Sequence, residues 1–158
     1  MTTTPHTVDE AELRDALHHV GLRVTAPRLA VLTSLAGHPH ADADAVFQDV
    51  RTVLPGTSVQ AVYNVLGDLS AAGLLRRIEP AGSPARYERR VDDNHHHLVC
   101  RGCGAIEDVD CTVGAAPCLA PSSTHGFTID EAEVTFWGLC PTCASAAPSS
   151  ATSHKESD

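Results

Sequence analysis

No apolar run in this 158-residue chain approaches the ~20 residues needed to span a bilayer. The opening Met-Thr-Thr-Thr-Pro also lacks the apolar core of a secretory signal. A membrane protein is therefore not expected, and a reduced, cytoplasmic setting is. Also missing are a His-Glu-x-x-His helix, a nucleophile elbow, a Gly-rich phosphate loop and any internal repeat, so the commoner enzyme frames are without support. Positive charge is scarce overall, with a net charge of −9, and its distribution is uneven. Residues 91–158 carry two basic residues against ten acids, whereas residues 1–90 carry nine Arg against ten acids, five of the nine lying between Arg76 and Arg90. A polyanion would be met in the first part.

The length suits one ordinary domain or two small ones, and the change in character near residue 90 favours two. Val8 to Val20 has a helical stripe of Leu13, Leu17 and Val20, with Asp9 and Glu12 at capping spacing and Gly21 as the stop. A second helix starts at Thr25-Ala-Pro27, carries Leu29, Leu32 and Leu35, and stops near Gly37-His38-Pro39. Asp42 caps a third, whose core face is Val46, Phe47, Val50, Val53 and Leu54. A fourth runs from Ser58 to Gly73, burying Val59, Val62, Leu66 and Leu69 and exposing Gln60, Tyr63, Asn64 and Gly67. Residues 74–79 and 85–90 form a hairpin around Pro80-Ala-Gly-Ser-Pro84. Short helices followed by such a hairpin describe a winged helix, in which the helix from Ser58 enters the major groove and the Arg-rich hairpin follows the backbone. Tyr63 can touch a thymine methyl there, and Asn64 can pair with an adenine edge.

Beyond Val91 the chain turns to strand-forming segments at 98–99, 105–109 and 127–137. The fold expected is α+β: a winged-helix domain over 1–90, a small zinc-containing α/β dimerisation domain over 91–145, and a disordered tail over 146–158. Two Cys-x-x-Cys pairs, Cys100/Cys103 and Cys140/Cys143, are separated by 36 residues. Four thiolates from two tight turns match structural Zn²⁺. Disulfides fit a reduced compartment poorly, and a thioredoxin-like site needs one pair near a βαβ pattern, not two around strands. His38, Glu88, His95, His97 and Asp108 form a second candidate set, with imidazoles and carboxylates suited to Fe²⁺, Mn²⁺ or Zn²⁺. His95 and His97, two apart on a strand, point to one side and His96 to the other.

The succession Gly21-Leu-Arg-Val-Thr-Ala-Pro-Arg28, His38-Pro39, Ser58-Val-Gln-Ala-Val-Tyr63, Arg86-Tyr-Glu88, His95-His-His-Leu-Val-Cys100-x-x-Cys103-Gly104 and Trp137-Gly-Leu-Cys140-Pro-x-Cys143 resembles the ferric uptake regulator (Fur) superfamily. The likeness covers about residues 9–143. Asp92-Asp-Asn-His-His-His-Leu-Val-Cys100, Asp108-Val-Asp-Cys111 and Ala116-Pro-Cys118 are most similar to its actinobacterial FurA/CatR branch, peroxide-responsive repressors of catalase-peroxidase genes. The resemblance implies a homodimeric repressor that binds an AT-rich inverted repeat in duplex DNA when its regulatory metal is bound. It implies structural zinc on Cys100, Cys103, Cys140 and Cys143, and a regulatory Fe²⁺ or Mn²⁺ on His38, Glu88, His95, His97 and Asp108 that clips the two domains together. Zn²⁺ could substitute in vitro. It further implies base contact by Tyr63 and minor-groove entry by Arg23, to which the helix geometry adds Ser58, Gln60 and Asn64. Peroxide would oxidise His38 and His95. Glu88 resembles iron-sensing members and Asp108 peroxide-sensing ones, so an iron- or zinc-availability repressor is the alternative. A third site from His96 and His125 is expected to be weak or absent, because Asn94, Ala115 and Ala116 stand where other members have acids. Cys111 and Cys118 read as small buried residues or a redox pair. A metal-dependent hydrolase on the imidazole–carboxylate set is a remote alternative, and a zinc module without DNA contact is another, opposed by the hairpin and Tyr63.

Overall fold

The computed structural model describes residues 9–89, 95–110, 122–129 and 134–146. The chain divides into two compact units, Met1–Asp93 and Asn94–Asp158. The first unit opens with α1 (Glu10–His19) and continues through α2 (Ala26–Gly37), the short strand β1 (Ala41–Asp42), α3 (Ala43–Val53) and α4 (Val59–Ala71). A polar residue opens each helix by accepting a backbone amide that the helix itself leaves unpaired. Asp9 takes the amide of Ala11 at 2.9 Å, Thr25 that of Arg28 at 3.5 Å, Asp42 that of Ala45 at 2.8 Å and Ser58 that of Ala61 at 3.2 Å. Caps of this kind contribute about 1 kcal/mol each. Gly21 at φ 73° and Gly73 at φ 75° reverse the chain after α1 and α4 in a conformation that penalises a side chain.

The apolar stripes of these helices meet in one core: Leu13 and Leu17, Val31, Leu32 and Leu35, Val46 and Val50, and Val62, Leu66 and Leu69. Val53 and Val59 depart from the expected core, at 66% and 43% exposed. Both sit in end turns, where α3 and α4 outrun the packed layer. After α4 come β2 (Arg76–Ile78) and β3 (Arg86–Glu88), an antiparallel hairpin shorter than the sequence suggests. β1 adds to the free edge of β3, with Ala41 opposite Tyr87 and Asp42 opposite Arg86, giving the order β1-β3-β2. Four packed helices and this wing make a winged helix.

The second unit holds β4 (His95–Cys100), β5 (Ile106–Asp110), β6 (Thr135–Gly138) and the one-and-a-half-turn helix α5 (Pro141–Ala146), with sheet order β5-β4-β6. β5 runs antiparallel to β4 and β6 parallel to it. The long strand expected over 127–137 is reduced to Thr135–Gly138; residues 127–129 carry no strand, and 130–133 lie outside the described residues. Most of the expected tail, from 147 onward, and both Cys111 and Cys118 also lie outside them. Among the described residues of this unit the buried apolar side chains are Val99 and Cys100. No helix among the described residues is long and apolar enough to cross a membrane.

Candidate metal centres and nucleic-acid interface

Cys100 is the last residue of β4, and Cys103 follows on a tight turn whose closure is fixed by Gly104 donating to the Cys100 carbonyl at 2.9 Å. Cys140 immediately precedes α5 and Cys143 lies in its first turn, so the loop after β6 and the turn after β4 face each other. The ligand atoms of all four cysteines lie within 4.8 Å of one another, and the Cys103 and Cys140 sulfurs are 3.8 Å apart. A tetrahedron with Zn–S bonds of about 2.3 Å has sulfur edges of roughly 3.8 Å. The set therefore fits zinc, and the four cysteines are thiols, not disulfides.

Backbone amides prepare these sulfurs. Cys140 donates to Cys100 Sγ at 3.2 Å, Gly102 to the same sulfur at 3.4 Å, and Cys143 to Cys140 Sγ at 3.5 Å. The amides of Cys140 and Cys103 are the main causes that lower the Cys100 pKa from 9.0 to about 6. Cys143 is pushed the other way, to about 12, chiefly by hydrogen bonding to the Cys140 sulfur and then to those of Cys103 and Cys100. Sulfurs this close cannot all ionise unless a cation lies among them. Gly102 is required by space: a Cβ there would stand 2.9 Å from Cys143 Sγ.

In the same unit the pleat of β4 puts His95 and His97 on one face. Their Nε2 atoms are 3.2 Å apart, and each lies 3.7 Å from Oδ1 of Asp108, the residue opposite His97 on β5. Both imidazoles are buried. The other face carries His96, edge-on to Phe136 at 6.1 Å between ring centroids, together with exposed Leu98. His125 is described, with φ 48° and its amide on Ser123 Oγ. Among the described residues no cluster of three metal donors includes His96 or His125.

In the first unit Glu88 closes β3, and its Oε2 lies 2.9 Å from Nε2 of His40, both residues being buried. His38, expected among the ligands of the regulatory ion, belongs to no cluster of three metal donors among the described residues. His38 caps the end of α2 with its ring Nδ1 2.9 Å from Asp49 Oδ2, and its side chain is 70% exposed. Asp49 Oδ2 also accepts from Ser34 Oγ at 2.7 Å. Here a carboxylate bridges serine and histidine, the reverse of a nucleophilic triad, so this cluster does not help a hydrolase. The chain brings His40 to Glu88 because the His40 amide donates to the Tyr87 carbonyl at 3.0 Å and β1 then pairs with β3. His40 holds a left-handed φ of 64°, a conformation few non-glycine residues adopt and one that tends to mark functional positions. Two histidines in the run His38-Pro39-His40 differ only in register with a strand far along the chain, a signal that local sequence does not carry.

The exposed face of α4 shows Gln60, Tyr63, Asn64 and Gly67, with Gln60 Nε2 donating to Asn64 Oδ1 at 2.9 Å. Ser58 is engaged as the helix cap, and Arg23 is exposed on the segment ahead of α2. A groove of about 630 Å³ beside Tyr63 is lined by Gly67, Ser70, Arg77 and Pro84 and by the acids Asp42 and Asp44. The wing is less free than its arginine count suggests: Arg77 pairs with Glu79 at 2.7 Å, Arg86 with Asp42 at 3.8 Å and Arg89 with Glu12 at 3.8 Å. Pairs at the surface contribute about 0–1 kcal/mol, so phosphate can compete for these guanidiniums.

The sequence pattern of the Ferric uptake regulator family matches residues 19–137. The chain is 60% identical over 130 residues to the transcriptional regulator FurA of Mycobacterium tuberculosis, covering 82% of this chain and 88% of that protein. It is 54% identical over 142 residues to ferric uptake regulation protein 2 of Mycolicibacterium fortuitum, covering 88% and 97% respectively. In fold it is similar to the structure of the Helicobacter pylori ferric uptake regulator Fur, with a TM-score of 0.63 over 91% of this chain and 97% of that one at 20% identity.

Proposed function

The chain belongs to the ferric uptake regulator family, and from that premise we propose that it is a homodimeric repressor of an AT-rich inverted-repeat operator that senses peroxide through bound Fe²⁺. Family members are metal-dependent transcriptional regulators that bind DNA as dimers, and they are not enzymes. The observation that carries the sensing function is the convergence of two buried imidazole nitrogens on one carboxylate, His95 and His97 each 3.7 Å from Asp108 Oδ1. Three donors leave a transition ion with an incomplete shell. In this reading His40 and Glu88 supply the rest, replacing the His38 of the sequence-based set, and Fe²⁺ or Mn²⁺ is the physiological ion. Donors drawn from both units make ion binding select the arrangement in which the two α4 helices of a dimer match successive major grooves. Structural zinc on the four cysteines holds the second unit in shape.

Tyr63 and Asn64 read base edges in this reading, Gln60 supports Asn64, Arg23 enters the minor groove, and Ser58 positions the helix start. Leu98 and Phe136, exposed side by side across β4 and β6, form the face offered to the second copy. The protein works in the cytoplasm and controls catalase-peroxidase and other oxidative-stress genes. Bound Fe²⁺ supplies an electron donor for H₂O₂ beside the imidazoles. Oxidation of His40 or His95 removes a ligand, the two units lose their common ion, and the operator is released. A repressor of iron or zinc availability, indifferent to peroxide, is the second reading; Glu88 favours iron, as does the name of the Mycolicibacterium relative, ferric uptake regulation protein 2.

Peptide mass spectrometry of the zinc protein loaded with Fe²⁺ and treated with a small excess of H₂O₂ separates the two, with a Mn²⁺-loaded sample as control. One added oxygen on His40 or His95 in the iron sample alone supports peroxide sensing. Unmodified histidines in both samples leave metal availability as the signal.

A further inference from the structure

Arg28 lies in the first turn of α2, where the positive end of the helix dipole makes a cation unfavourable. Its side chain is 17% exposed, and its guanidinium is committed in two directions. Nη1 donates to the Arg23 carbonyl at 2.8 Å, and Nη2 donates to Asp68 Oδ2 at 2.9 Å. Asp68 is on α4, four residues after Asn64 and eight after Gln60, so the three share one stripe of the helix. A charge placed against the local rule, and holding two separate elements, calls for a tertiary explanation. One planar fork thus ties the backbone of the arm that carries Arg23 to the stripe that carries Asn64.

We infer that Arg28 is a positioning residue for operator recognition: it sets where Arg23 enters the minor groove relative to the bases read by α4. The inference rests on the DNA-binding function proposed above. Lysine cannot replace the fork, because a single ammonium lacks the planar pair of donors that serves a carbonyl and a carboxylate at fixed spacing. Without the bridge the arm and α4 still fold, each held by its own packing: Leu22 and Val24 lie against the core and the Leu22 amide donates to the Leu17 carbonyl at 2.9 Å. What is lost is their mutual register, and with it the joint reading of the two grooves.

The test uses the full-length Mn²⁺-loaded dimer. The wild type first selects its preferred duplex from a random-sequence library, and Arg23→Ala, Arg28→Lys, Asp68→Asn and Arg23→Ala/Arg28→Lys then repeat the selection. Fluorescence anisotropy gives their affinities for the wild-type duplex and for copies in which A·T pairs are replaced one at a time. Arg28→Lys is expected to bind about tenfold more weakly and to lose discrimination at the same base pairs as Arg23→Ala. The double variant should then be no more than about twofold weaker than Arg23→Ala alone, since the two residues act as one unit. Asp68→Asn should give the same pattern with a smaller loss, which keeps the test open if Arg28→Lys unfolds. Additive losses in the double variant, or a wild-type selection profile for both Arg28→Lys and Asp68→Asn, overturn the inference while leaving DNA binding intact. If the wild type selects no duplex, the DNA-binding function and this inference fall together.

Discussion

The two units of this chain are stabilised in opposite ways. The first rests on a core of leucines and valines from four capped helices, whereas the described part of the second buries Val99 and Cys100 and depends on ligand chemistry for the rest. The contrast extends to the metal donors. All four cysteines come from one unit and are arranged by its own backbone amides. His40 and Glu88 meet in one unit, and His95, His97 and Asp108 converge in the other. A site complete within one unit can only support that unit, whereas donors divided between two can report on their arrangement. In the function proposed above, that difference separates a structural metal from a regulatory one.

The largest test of this comparison is removal of zinc. Structural zinc contributes on the order of 10 kcal/mol to a small domain, more than the buried Val99 and Cys100 of the described residues can replace. Stripping the metal, or Cys100→Ser, should unfold the second unit and abolish the dimer while the helices of the first still melt cooperatively, as seen by circular dichroism and native mass spectrometry. Retention of the second unit's strands without zinc would break the comparison. The reverse experiment is Leu66→Ala. It empties a fully buried position in α4 and should cost the first unit about 3 kcal/mol in denaturant unfolding, with the zinc content unchanged.

Next in size is the divided set. His40→Ala should weaken Mn²⁺ binding by about 10–100-fold in calorimetric titration, and His38→Ala, which removes a solvent-facing ring bonded to Asp49, should leave it within about twofold. The opposite order would return His38 to the ligand set. Gly102→Ala should reduce zinc affinity by about tenfold, because the new methyl meets Cys143 Sγ at 2.9 Å; competition with a chromophoric chelator measures it. The smallest effect concerns pH in the zinc-stripped protein. The lowered Cys100 pKa stabilises the folded form above 9.0, and that gain is lost as pH falls through about 6. The raised Cys143 pKa stabilises it below 9.0, and that gain is lost as pH rises through about 12. Residual order by circular dichroism should therefore be greatest near pH 9, and a maximum below 6 or above 12 would contradict the sulfur arrangement.

Much of the first unit was legible because helix signals are local. Asp9, Thr25, Asp42 and Ser58 mark helix starts within a residue, since a cap needs only the next two or three amides. The apolar spacing of Leu66 and Leu69 places them in the core, but spacing cannot say where a helix outruns its neighbours, as Val53 and Val59 do. One short strand carries no local signal. β1 is two residues long and exists only because β3 lies beside it.

By itself the sequence determined the helix order, the winged-helix character, the paired cysteines and the same-side placement of His95 and His97, all of which follow from periods and spacings within short stretches. Only tertiary structure set His40 against Glu88, engaged the wing arginines with Asp42 and Glu12, and joined Arg23 to Asp68 through Arg28. Each of those outcomes depends on which residues far apart in the chain become neighbours. A hydrogen bond a few ångströms long is decided by strand register and helix packing, and neither is written in the residues on either side of it.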